Sequence, residues 1–319
     1  MPRTKPAVVV TLAGWDPQPW ISRLAALLPG RQVLSLDACG AMRPDAYHLF
    51  CWKPTQAMLA ARPAPRLIIS AGAGVDHIFK ADPPAGVPIT RVVDPDLTSR
   101  MVEYVVLHAL MHLRRMPDAA FNQRARLWRS KDFPAAREVT VGILGIGELG
   151  QAAARALGAV GFAVRGWSRT ARTGLGYPTF HGPEGLRPFL AGTDILVSLL
   201  PSTPETRRSI GLPTFAGLRR TGPFGAPVFI NAGRGDTVRE DELVAALTNG
   251  TLRAASLDVF VTEPLPDDNP FWRLENVILT PHNAADSTPD AVAAFAAAEI
   301  ERFEAGEPLR HGVDPARGY

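Results

Sequence analysis

The fold of this 319-residue chain is decided by residues 141–150, which read VGILGIGELG. Residues 141–144 have the pattern of a buried strand, residues 151–160 have that of a helix, and the glycines between them form a G-x-G-x-x-G turn. In such a turn the first glycine permits a tight bend, the second lets the backbone approach a pyrophosphate, and the third lets helix and strand pack closely. We therefore predict a dinucleotide site whose contacts in this turn are Gly145, Gly147, Glu148, Leu149 and Gly150.

Short β-rich runs alternate with helical patterns on both sides of this turn. Downstream of a first strand starting at residue 140, the predicted strands are residues 164–168, 195–200, 228–231, 254–259 and 277–279. Upstream, the predicted strands are residues 7–12, 32–36, 46–52 and 66–70, with a helix at residues 21–28. This alternation predicts an α/β fold of two Rossmann-like or flavodoxin-like β/α domains with doubly wound parallel sheets, the second having six strands.

Two domains are expected because 319 residues exceed one ordinary core. The apolar spacing of residues 98–115 predicts a helix with Thr98 as its N-cap, and residues 116–137 then read as a surface connection between domains. A last helix at residues 289–305 follows the second strand series and is expected to return to the first domain. The predicted substrate domain is thus discontinuous, comprising residues 1–105 and 284–319, and the dinucleotide-binding domain comprises residues 106–283.

The composition, with 46% hydrophobic and 20% charged residues, is that of a globular protein. The longest apolar stretches, such as residues 7–13 and 194–200, are far shorter than the roughly 20 residues that span a bilayer, and the N-terminal residues lack a secretory signal pattern. The net charge of +3 comes from scattered basic residues, which argues against nucleic acid. Cys39 and Cys51 are too few for a disulfide framework and lack metal-ligand spacing. We expect a cytoplasmic protein without membrane, nucleic-acid or metal partners.

The second strand of the downstream series ends in Gly166-Trp167-Ser168-Arg169-Thr170. An NAD site usually carries Asp or Glu at this point, where the carboxylate binds the ribose hydroxyls. Here hydroxyls and a guanidinium take its place, and the fork of an arginine suits a 2′-phosphate in charge and geometry. We therefore predict NADP(H), with NAD(H) as the less favoured alternative, and cofactor contacts from Ser168, Arg169 and Thr170.

Three further motifs each follow a predicted strand: NAGRG at residues 231–235, LDVFVTEPL at residues 257–265 and TPHNAA at residues 280–285. The carboxyl ends of the strands in a doubly wound sheet border the crevice where ligands bind, so side chains from these loops can meet there. We predict that Arg234, Glu263 and His282 form a single catalytic site.

With these motifs, the chain resembles the D-isomer-specific 2-hydroxyacid dehydrogenases, and within them the glyoxylate/hydroxypyruvate reductase A type. The resemblance covers nearly the whole chain. Besides the motifs above, it is carried by residues 71–76, residues 166–169, LPSTPET at residues 200–206 and DPARGY at residues 314–319. It implies a homodimer that reduces small 2-oxo acids with NADPH, taking glyoxylate to glycolate and hydroxypyruvate to D-glycerate.

The resemblance implies that Arg234 binds the substrate carboxylate and carbonyl, that His282 donates the proton, and that Glu263 pairs with His282. The chemistry agrees, because hydride addition to a carbonyl carbon puts negative charge on its oxygen, which needs a nearby cation and then a proton. A carboxylate beside an imidazole favours the protonated ring and fixes its tautomer.

The resemblance also implies which residues line the substrate and cofactor sites. Backbone N–H groups of Ala73 and Gly74 would hold the substrate carboxylate as an anion nest. The small apolar pocket would be lined by Trp52, Met101, Trp128 and Trp272, although Trp128 could instead reach the site of a partner subunit. Further cofactor contacts are implied at Leu200, Pro201, Thr206, Ala232, Gly233, Asp258 and Ala284.

Several alternatives remain open at the level of sequence. One is a non-catalytic dinucleotide-sensing scaffold, because transcriptional corepressors share the fold and the Arg-Glu-His set. Another is an NAD-dependent D-2-hydroxyacid dehydrogenase of a bulkier substrate, since Asn283 departs from the family pattern and could shift substrate preference. Formate dehydrogenases also resemble this fold but place Gln where this chain has Glu263, which argues against formate or phosphite oxidation.

Overall fold

The computed structural model describes residues 5–36, 38, 44–60, 63–130 and 132–315, so Cys39 and residues 316–319 of the C-terminal motif lie outside the described residues. The chain divides into two compact units. Met1–Leu97 with Ser287–Tyr319 forms the first, and Thr98–Asp286 forms the second. The first unit is therefore discontinuous in sequence, and its division from the second falls in the first turn of a helix that starts at Pro95.

The strands are β1 (Ala7–Leu12), β2 (Val33–Ser35), β3 (Tyr47–Trp52), β4 (Ile68–Ser70), β5 (Ile89–Arg91), β6 (Thr140–Leu144), β7 (Ala163–Ser168), β8 (Thr179–His181), β9 (Ile195–Ser198), β10 (Val228–Asn231), β11 (Ala254–Leu257) and β12 (Val277–Leu279). The helices are α1 (Gln18–Leu27), α2 (Gln56–Ala60), α3 (Asp76–Lys80), α4 (Pro95–Leu113), α5 (Met116–Arg124), α6 (Glu148–Val160), α7 (Gly182–Ala191), α8 (Leu212–Ala216), α9 (Glu240–Thr248) and α10 (Pro289–Glu304). Short 3₁₀ turns lie at Ala136–Glu138, Gly235–Thr237 and Pro270–Arg273. Within the described part of the chain, no helix is both long and apolar enough to cross a membrane.

The first unit contains a five-stranded parallel sheet in the order β2-β1-β3-β4-β5. This order, in which the chain turns back at the first strand, is that of flavodoxin-like doubly wound sheets. The four strands predicted from sequence are all present. The edge strand β5 was not predicted, because a run of only three residues after a proline-rich stretch shows no recognisable pattern.

Helices cover both faces of the first sheet, which explains why β1 is apolar apart from Thr11 and why its six residues are all buried. On one face, Leu24 of α1 and Ile300 of α10 join a core that includes Val8 and Phe50 of the sheet. The buried side of α10 is otherwise largely alanine, and these small side chains let the helix lie close to its neighbours. The C-terminal helix thus belongs to the core of the first unit.

The second unit contains a seven-stranded parallel sheet in the order β12-β11-β10-β9-β6-β7-β8. The order reverses between β6 and β9, which is the switch point where doubly wound sheets bind ligands. The sequence-based count of six strands was wrong, because a seventh strand, β8, pairs with β7 and forms the edge of the sheet. β8 has only three residues, none of them buried, so it lacks the apolar run that marks the other strands.

Helix α4 begins earlier than its apolar spacing predicts, and Thr98 is not its N-cap. The Oδ1 atom of Asp94 accepts a hydrogen bond from Asp96 N at 3.1 Å, and Pro95 takes the first helical position. An aspartate cap followed by proline is a strong helix start, because proline lacks the N–H that would otherwise stay unsatisfied there.

The segment predicted as a surface connection, residues 116–137, contains helix α5 and a 3₁₀ turn. Every residue of α5 is at least partly exposed, so the helix has no buried apolar stripe by which the sequence could reveal it. The described residues of the segment are exposed or partly exposed, as predicted, and the helix at residues 116–124 is the feature that the sequence did not predict.

A polar stripe on the buried face of α4 fastens this helix to the second sheet. His108 Nδ1 lies 2.7 Å, and His112 Nε2 lies 2.8 Å, from Oγ of Ser256 on β11, and all three residues are buried. Burial lowers the pKa of His108 to about 4. Burial, together with the charge of Arg253, lowers the pKa of His112 to about 3. Both imidazoles are therefore neutral in the folded protein near pH 7.

We predict that His112→Gln makes the protein less sensitive to acid. The pKa of His112 is about 3 in the folded state against 6.5 for the free side chain, so the unfolded chain binds the extra proton as the pH falls below about 6.5. The contribution of the neutral imidazole to the free energy of unfolding is fully present above that pH and is lost as the pH falls towards the folded pKa. Between pH 7 and pH 5 the loss is roughly 2 kcal/mol. Urea unfolding at both pH values measures it. An equal loss in the wild type and the variant would contradict the prediction.

Candidate active site

The loops that follow β10, β11 and β12 carry Arg234, Glu263 and His282, respectively. These three strands are neighbours in the sheet and run parallel, so the loops leave the same edge of the second unit. The turn between β6 and α6, with the G-x-G-x-x-G glycines, leaves that edge too. All three predicted catalytic residues therefore lie in loops at this edge of the sheet.

The loops after β10 and β11 touch through their backbones. A Cβ atom added to Gly235 would lie only 2.0 Å from the carbonyl carbon of Phe260, so only glycine fits next to Arg234. Phe260 N in turn donates to Oε1 of Glu263 at 3.1 Å. The contact thus places the segment that carries Arg234 directly against the segment that orients Glu263.

Glu263 and His282 form the central pair of the site. His282 Nδ1 lies 2.7 Å from Oε2 of Glu263, and their side chains are 38% and 25% exposed, so the pair borders solvent without being fully open to it. A carboxylate at Nδ1 fixes the ring orientation and puts a proton on that nitrogen, which leaves Nε2 as the nitrogen that exchanges a proton with a reactant. The geometry is that of a general acid with an orienting carboxylate.

Arg234 is held through its backbone as well as by its side chain. Its carbonyl oxygen accepts hydrogen bonds from Asn231 Nδ2 at 3.3 Å and from Thr237 Oγ1 at 2.7 Å. One of its guanidinium nitrogens donates to Gly233 O at 2.8 Å. A guanidinium carries five N–H donors in a planar fork, the geometry that suits a carboxylate.

Asp258 lies buried beneath the His282 loop. Its Oδ1 accepts hydrogen bonds from Thr280 Oγ1 at 2.6 Å, Asn283 N at 3.0 Å and Ala284 N at 3.2 Å, and its Oδ2 accepts from Ala284 N at 3.1 Å. Its carbonyl oxygen accepts from His282 N at 2.9 Å. One aspartate thus holds the loop on both sides of the histidine.

The dinucleotide turn has the geometry that its glycines predict. Gly145 has a φ of +96°, and a Cβ atom on Gly150 would lie 2.1 Å from the carbonyl oxygen of Gly145, so the third glycine permits close packing of α6 on β6. A Cβ atom on Gly147 would meet nothing within 4 Å. The space next to Gly147 is therefore open, as a pyrophosphate approaching the N-terminus of α6 requires.

The turn after β7 presents hydroxyls and a cation but no carboxylate of its own. Ser168 Oγ donates to Thr170 O at 2.7 Å, which closes the turn around Arg169. Arg169 is 43% exposed and lies 3.9 Å from Oε2 of Glu205, a residue of the loop after β9. The residues present therefore fit a 2′-phosphate better than a ribose with two free hydroxyls.

Comparison with known proteins identifies the family. Residues 106–284 match the family model described as D-isomer specific 2-hydroxyacid dehydrogenase, NAD binding domain. A glyoxylate/hydroxypyruvate reductase A of Serratia proteamaculans is 39% identical over 311 residues, covering 96% of this chain and 97% of the relative. The chain belongs to the D-isomer specific 2-hydroxyacid dehydrogenase family. The family and the α/β fold predicted from sequence are thereby confirmed.

Solved structures of similar proteins cover this dehydrogenase from end to end. An NADPH-dependent glyoxylate/hydroxypyruvate reductase of Sinorhizobium meliloti, crystallised with NADP and sulfate, has a TM-score of 0.92 and 43% identity, covering 99% of this chain and 100% of that chain. A probable 2-hydroxyacid dehydrogenase of Rhizobium etli, crystallised with NADP, HEPES and L(+)-tartaric acid, has a TM-score of 0.92 and 44% identity over the same shares.

The remaining predicted cofactor contacts of this dehydrogenase lie in the loops that follow β9, β10, β11 and β12. A Cβ atom on Gly233 would lie 2.7 Å from Leu200 O, so the loops after β9 and β10 also touch through their backbones. Thr206 Oγ1 donates to Pro201 O at 2.6 Å and keeps the first of these loops compact. Ala232 and Ala284 are buried in the same unit. The roles of these residues as cofactor contacts stay predictions.

The predicted substrate residues are distributed over both units. In the first unit, the indole of Trp52 lies over Gly72, where a Cβ atom would approach it to 2.8 Å. The neighbouring turn is held from its carbonyl side, since Ser70 Oγ donates to Gly74 O at 2.7 Å and Arg91 to Ala73 O at 3.4 Å. In the second unit Met101 is buried, whereas Trp128 is fully exposed and Trp272 is 55% exposed.

Sequence reasoning missed the residues that support the site from below. Gly235 and Phe260 lie inside quoted motifs but received no role, and Thr280 immediately precedes the Pro-His pair. Tyr104 lies on α4 and contacts Thr280 across a separation of 176 residues. The glycine at position 235, directly after Arg234, is a local signal that could have revealed the contact with Phe260, because a glycine can indicate close approach of another backbone segment.

We predict that substitutions of Gly147 and Gly150 in the dinucleotide turn have different effects, the first on cofactor binding and the second on stability. Gly147→Ala should leave the unfolding temperature near that of the wild type but weaken NADP(H) binding at least about tenfold, because its methyl group enters the space that a pyrophosphate needs. Gly150→Ala should lower stability, because its methyl group meets the Gly145 carbonyl.

Gly158→Ala, in the last turn of α6, is the matched control, because a Cβ atom there meets nothing within 4 Å and alanine favours helix over glycine by about 0.5–1 kcal/mol. Thermal unfolding and nucleotide titration measure the three variants. Undiminished binding by a folded Gly147→Ala would refute the assignment of the turn.

Proposed function

We propose that this dehydrogenase reduces small 2-oxo acids with NADPH, converting glyoxylate to glycolate and hydroxypyruvate to D-glycerate. The observation that carries the proposal is the hydrogen-bonded Glu263–His282 pair, which lies at the same sheet edge as Arg234 and the dinucleotide turn. The relatives named for this activity, at 39% identity in Serratia proteamaculans and 43% in Sinorhizobium meliloti, support it.

NADP(H) is the proposed cofactor, and NAD(H) is the less favoured one. The N-terminus of α6 and the open space at Gly147 would receive the pyrophosphate. Ser168, Arg169 and Thr170 would receive the 2′-phosphate, since they offer a cation and hydroxyls where an NAD site carries an acid. When bound, the reduced nicotinamide supplies the hydride.

The three catalytic side chains divide the remaining work. Arg234 pairs with the substrate carboxylate and with the carbonyl oxygen, so it orients the acid and stabilises the charge that grows on that oxygen. His282 donates the proton from Nε2 to the same oxygen, and the product is a 2-hydroxy acid. Glu263, bonded to Nδ1, fixes the orientation of the ring, so that Nε2 is the nitrogen that transfers the proton.

The substrate carboxylate is proposed to bind backbone N–H groups of Ala73 and Gly74. Their turn is fixed from the carbonyl side by Ser70 and Arg91, so its N–H groups are already oriented before a ligand arrives. Trp52 and Met101 are proposed to line the apolar part of the pocket. A single methylene changes binding in such a pocket by only about 1–3 kcal/mol, so the preferred acid within this class is decided by measurement.

A homodimer in the cytoplasm is the proposed working form. Large apolar side chains are exposed in and around α5: Leu107, Met116, Phe121, Leu127 and Trp128. An exposed apolar group of this kind marks a protein interface, and a second copy of the chain is the proposed partner. The cytoplasmic location follows from the need for a pool of reduced nicotinamide cofactor.

The deciding experiment is the initial rate of NADPH oxidation, and separately of NADH oxidation, with glyoxylate and with hydroxypyruvate. We expect faster turnover with NADPH and a loss of at least about 100-fold in kcat/KM in Arg234→Ala, because the carboxylate and the developing oxyanion both lose their cation. A folded protein that binds NADP(H) but turns over neither acid would instead favour the non-catalytic dinucleotide-sensing scaffold. Faster turnover of bulkier 2-oxo acids with NADH would favour the NAD-dependent alternative.

We predict that Arg169→Gln raises KM for NADPH about tenfold or more and changes KM for NADH by less than about twofold, because only NADPH carries the 2′-phosphate. Arg187→Gln, which removes an exposed arginine of α7, is the matched control and should change neither value. Steady-state kinetics with both cofactors measure the effect. An equal rise in KM for both would show that Arg169 does not recognise the phosphate.

A further inference from the structure

The buried face of α4 extends the polar stripe of His108 and His112 to Tyr104, one helical turn earlier. The Tyr104 hydroxyl lies 3.0 Å from Oγ1 of Thr280, which directly precedes the Pro281-His282 pair. Tyr104 also packs its ring against His108, at 4.1 Å between centroids. Because His108 and His112 both bind Ser256, the tyrosine is held in place by the helix and by the sheet beneath it.

The direction of the hydrogen bonds in this chain of groups is determined. Thr280 has one hydroxyl proton, and Oγ1 donates it to Oδ1 of Asp258 at 2.6 Å, since a carboxylate can only accept. The 3.0 Å bond to Tyr104 must then be donated by the tyrosine hydroxyl. A single relay of donated bonds therefore runs from Tyr104 through Thr280 to the carboxylate of Asp258.

Asp258 carries the effect to the histidine. Its carboxylate holds the Thr280 side chain before His282 and the N–H groups of Asn283 and Ala284 after it, and its carbonyl holds His282 N. His282 has a φ of +54°, in the left-handed region that residues with a Cβ atom rarely adopt because the Cβ atom crowds the backbone there. The bonds from Asp258 on both sides are what maintain that conformation.

We propose that Tyr104 is a positioning residue for the reaction, acting through Thr280 and Asp258 to hold the His282 backbone where the imidazole meets Glu263. The proposal rests on the proposed function only for the role of the imidazole in the reaction. The hydrogen bonds that position the imidazole are present whatever reaction the protein catalyses. Without the Tyr104 hydroxyl, Thr280 Oγ1 no longer accepts a hydrogen bond that fixes its side chain. The Thr280 hydroxyl is then free to rotate, and its hydrogen bond to the Asp258 carboxylate is weakened. The histidine loop then samples other conformations, and the Nδ1–Oε2 bond is made for a smaller fraction of the time.

The first measurement is independent of activity. In protein labelled with ¹⁵N-histidine, the ring signals of His282 are assigned by their disappearance in His282→Gln, and they report the bond to Glu263. We expect Tyr104→Phe to shift or broaden them. Tyr177→Phe is the matched control: it removes a buried phenol hydroxyl that has no hydrogen-bond partner among the described residues, and it should leave the signals unchanged. Unchanged signals in both variants would overturn the proposal whether or not the protein is a reductase.

The second measurement is steady-state reduction of glyoxylate at saturating NADPH. Tyr104→Phe should lower kcat about tenfold or more, because a misplaced catalytic group costs up to about 100-fold, and should leave KM within about twofold. Tyr177→Phe should retain the wild-type kcat. Inactive wild-type protein would refute the proposed function, and the ring signals would still decide the role of Tyr104.

A pair of Thr280 variants guards against a simple folding defect. Thr280→Ser keeps the hydroxyl that links Tyr104 to Asp258, whereas Thr280→Val keeps the shape and removes the link. We expect Thr280→Ser to keep a kcat near the wild-type value and Thr280→Val to lose as much of kcat as Tyr104→Phe does. The two Thr280 variants should have matching unfolding temperatures. Equal activity of the two variants would overturn the relay.

Discussion

Backbone-to-backbone contact among the loops after β9, β10 and β11 is the constraint on which the site depends. Gly233 lies against Leu200, and Gly235 lies against Phe260, at separations where any Cβ atom would collide with main-chain atoms. These glycines flank Arg234, so the guanidinium is carried by a segment that is wedged between its neighbours. Because β9, β10 and β11 are neighbouring parallel strands, the three loops that follow them leave the same edge of the sheet and pack against one another.

The buried carboxylate of Asp258 organises the loop that carries His282. A carboxylate removed from water is costly unless its oxygens accept hydrogen bonds, and here a hydroxyl and two backbone N–H groups supply them. The same bonds fix the His282 loop, so the requirement to solvate the charge and the requirement to place the imidazole are met by one set of contacts. The neighbouring Tyr104, His108 and His112 stay uncharged, because burial raises the pKa of Tyr104 and lowers those of the histidines.

The sequence predicts the features that depend on local pattern. Long buried strands such as β1, the G-x-G-x-x-G turn and the helix at residues 289–305 are visible because their signals come from adjacent residues. β5 and β8 were missed because three residues cannot show a period, and α5 was missed because it has no buried face. Glu263 and His282 could be paired only through family order, and the Tyr104–Thr280 bond joins residues 176 apart, so it exists only in the folded chain.

The cofactor preference turns on a competition within the protein. Although β7 ends without an acid, Arg169 lies 3.9 Å from Glu205 of the loop after β9. Hydrogen bonding from Thr203, with a smaller contribution from the Arg169 charge, holds the pKa of Glu205 below its usual value, so this carboxylate is ionised at neutral pH. The pair is exposed, and exposed ion pairs are weak. In the proposed cofactor site, a 2′-phosphate would offer Arg169 more negative charge than this carboxylate and two oxygens for its fork, so it would compete with Glu205 for the guanidinium, whereas an uncharged ribose hydroxyl would not.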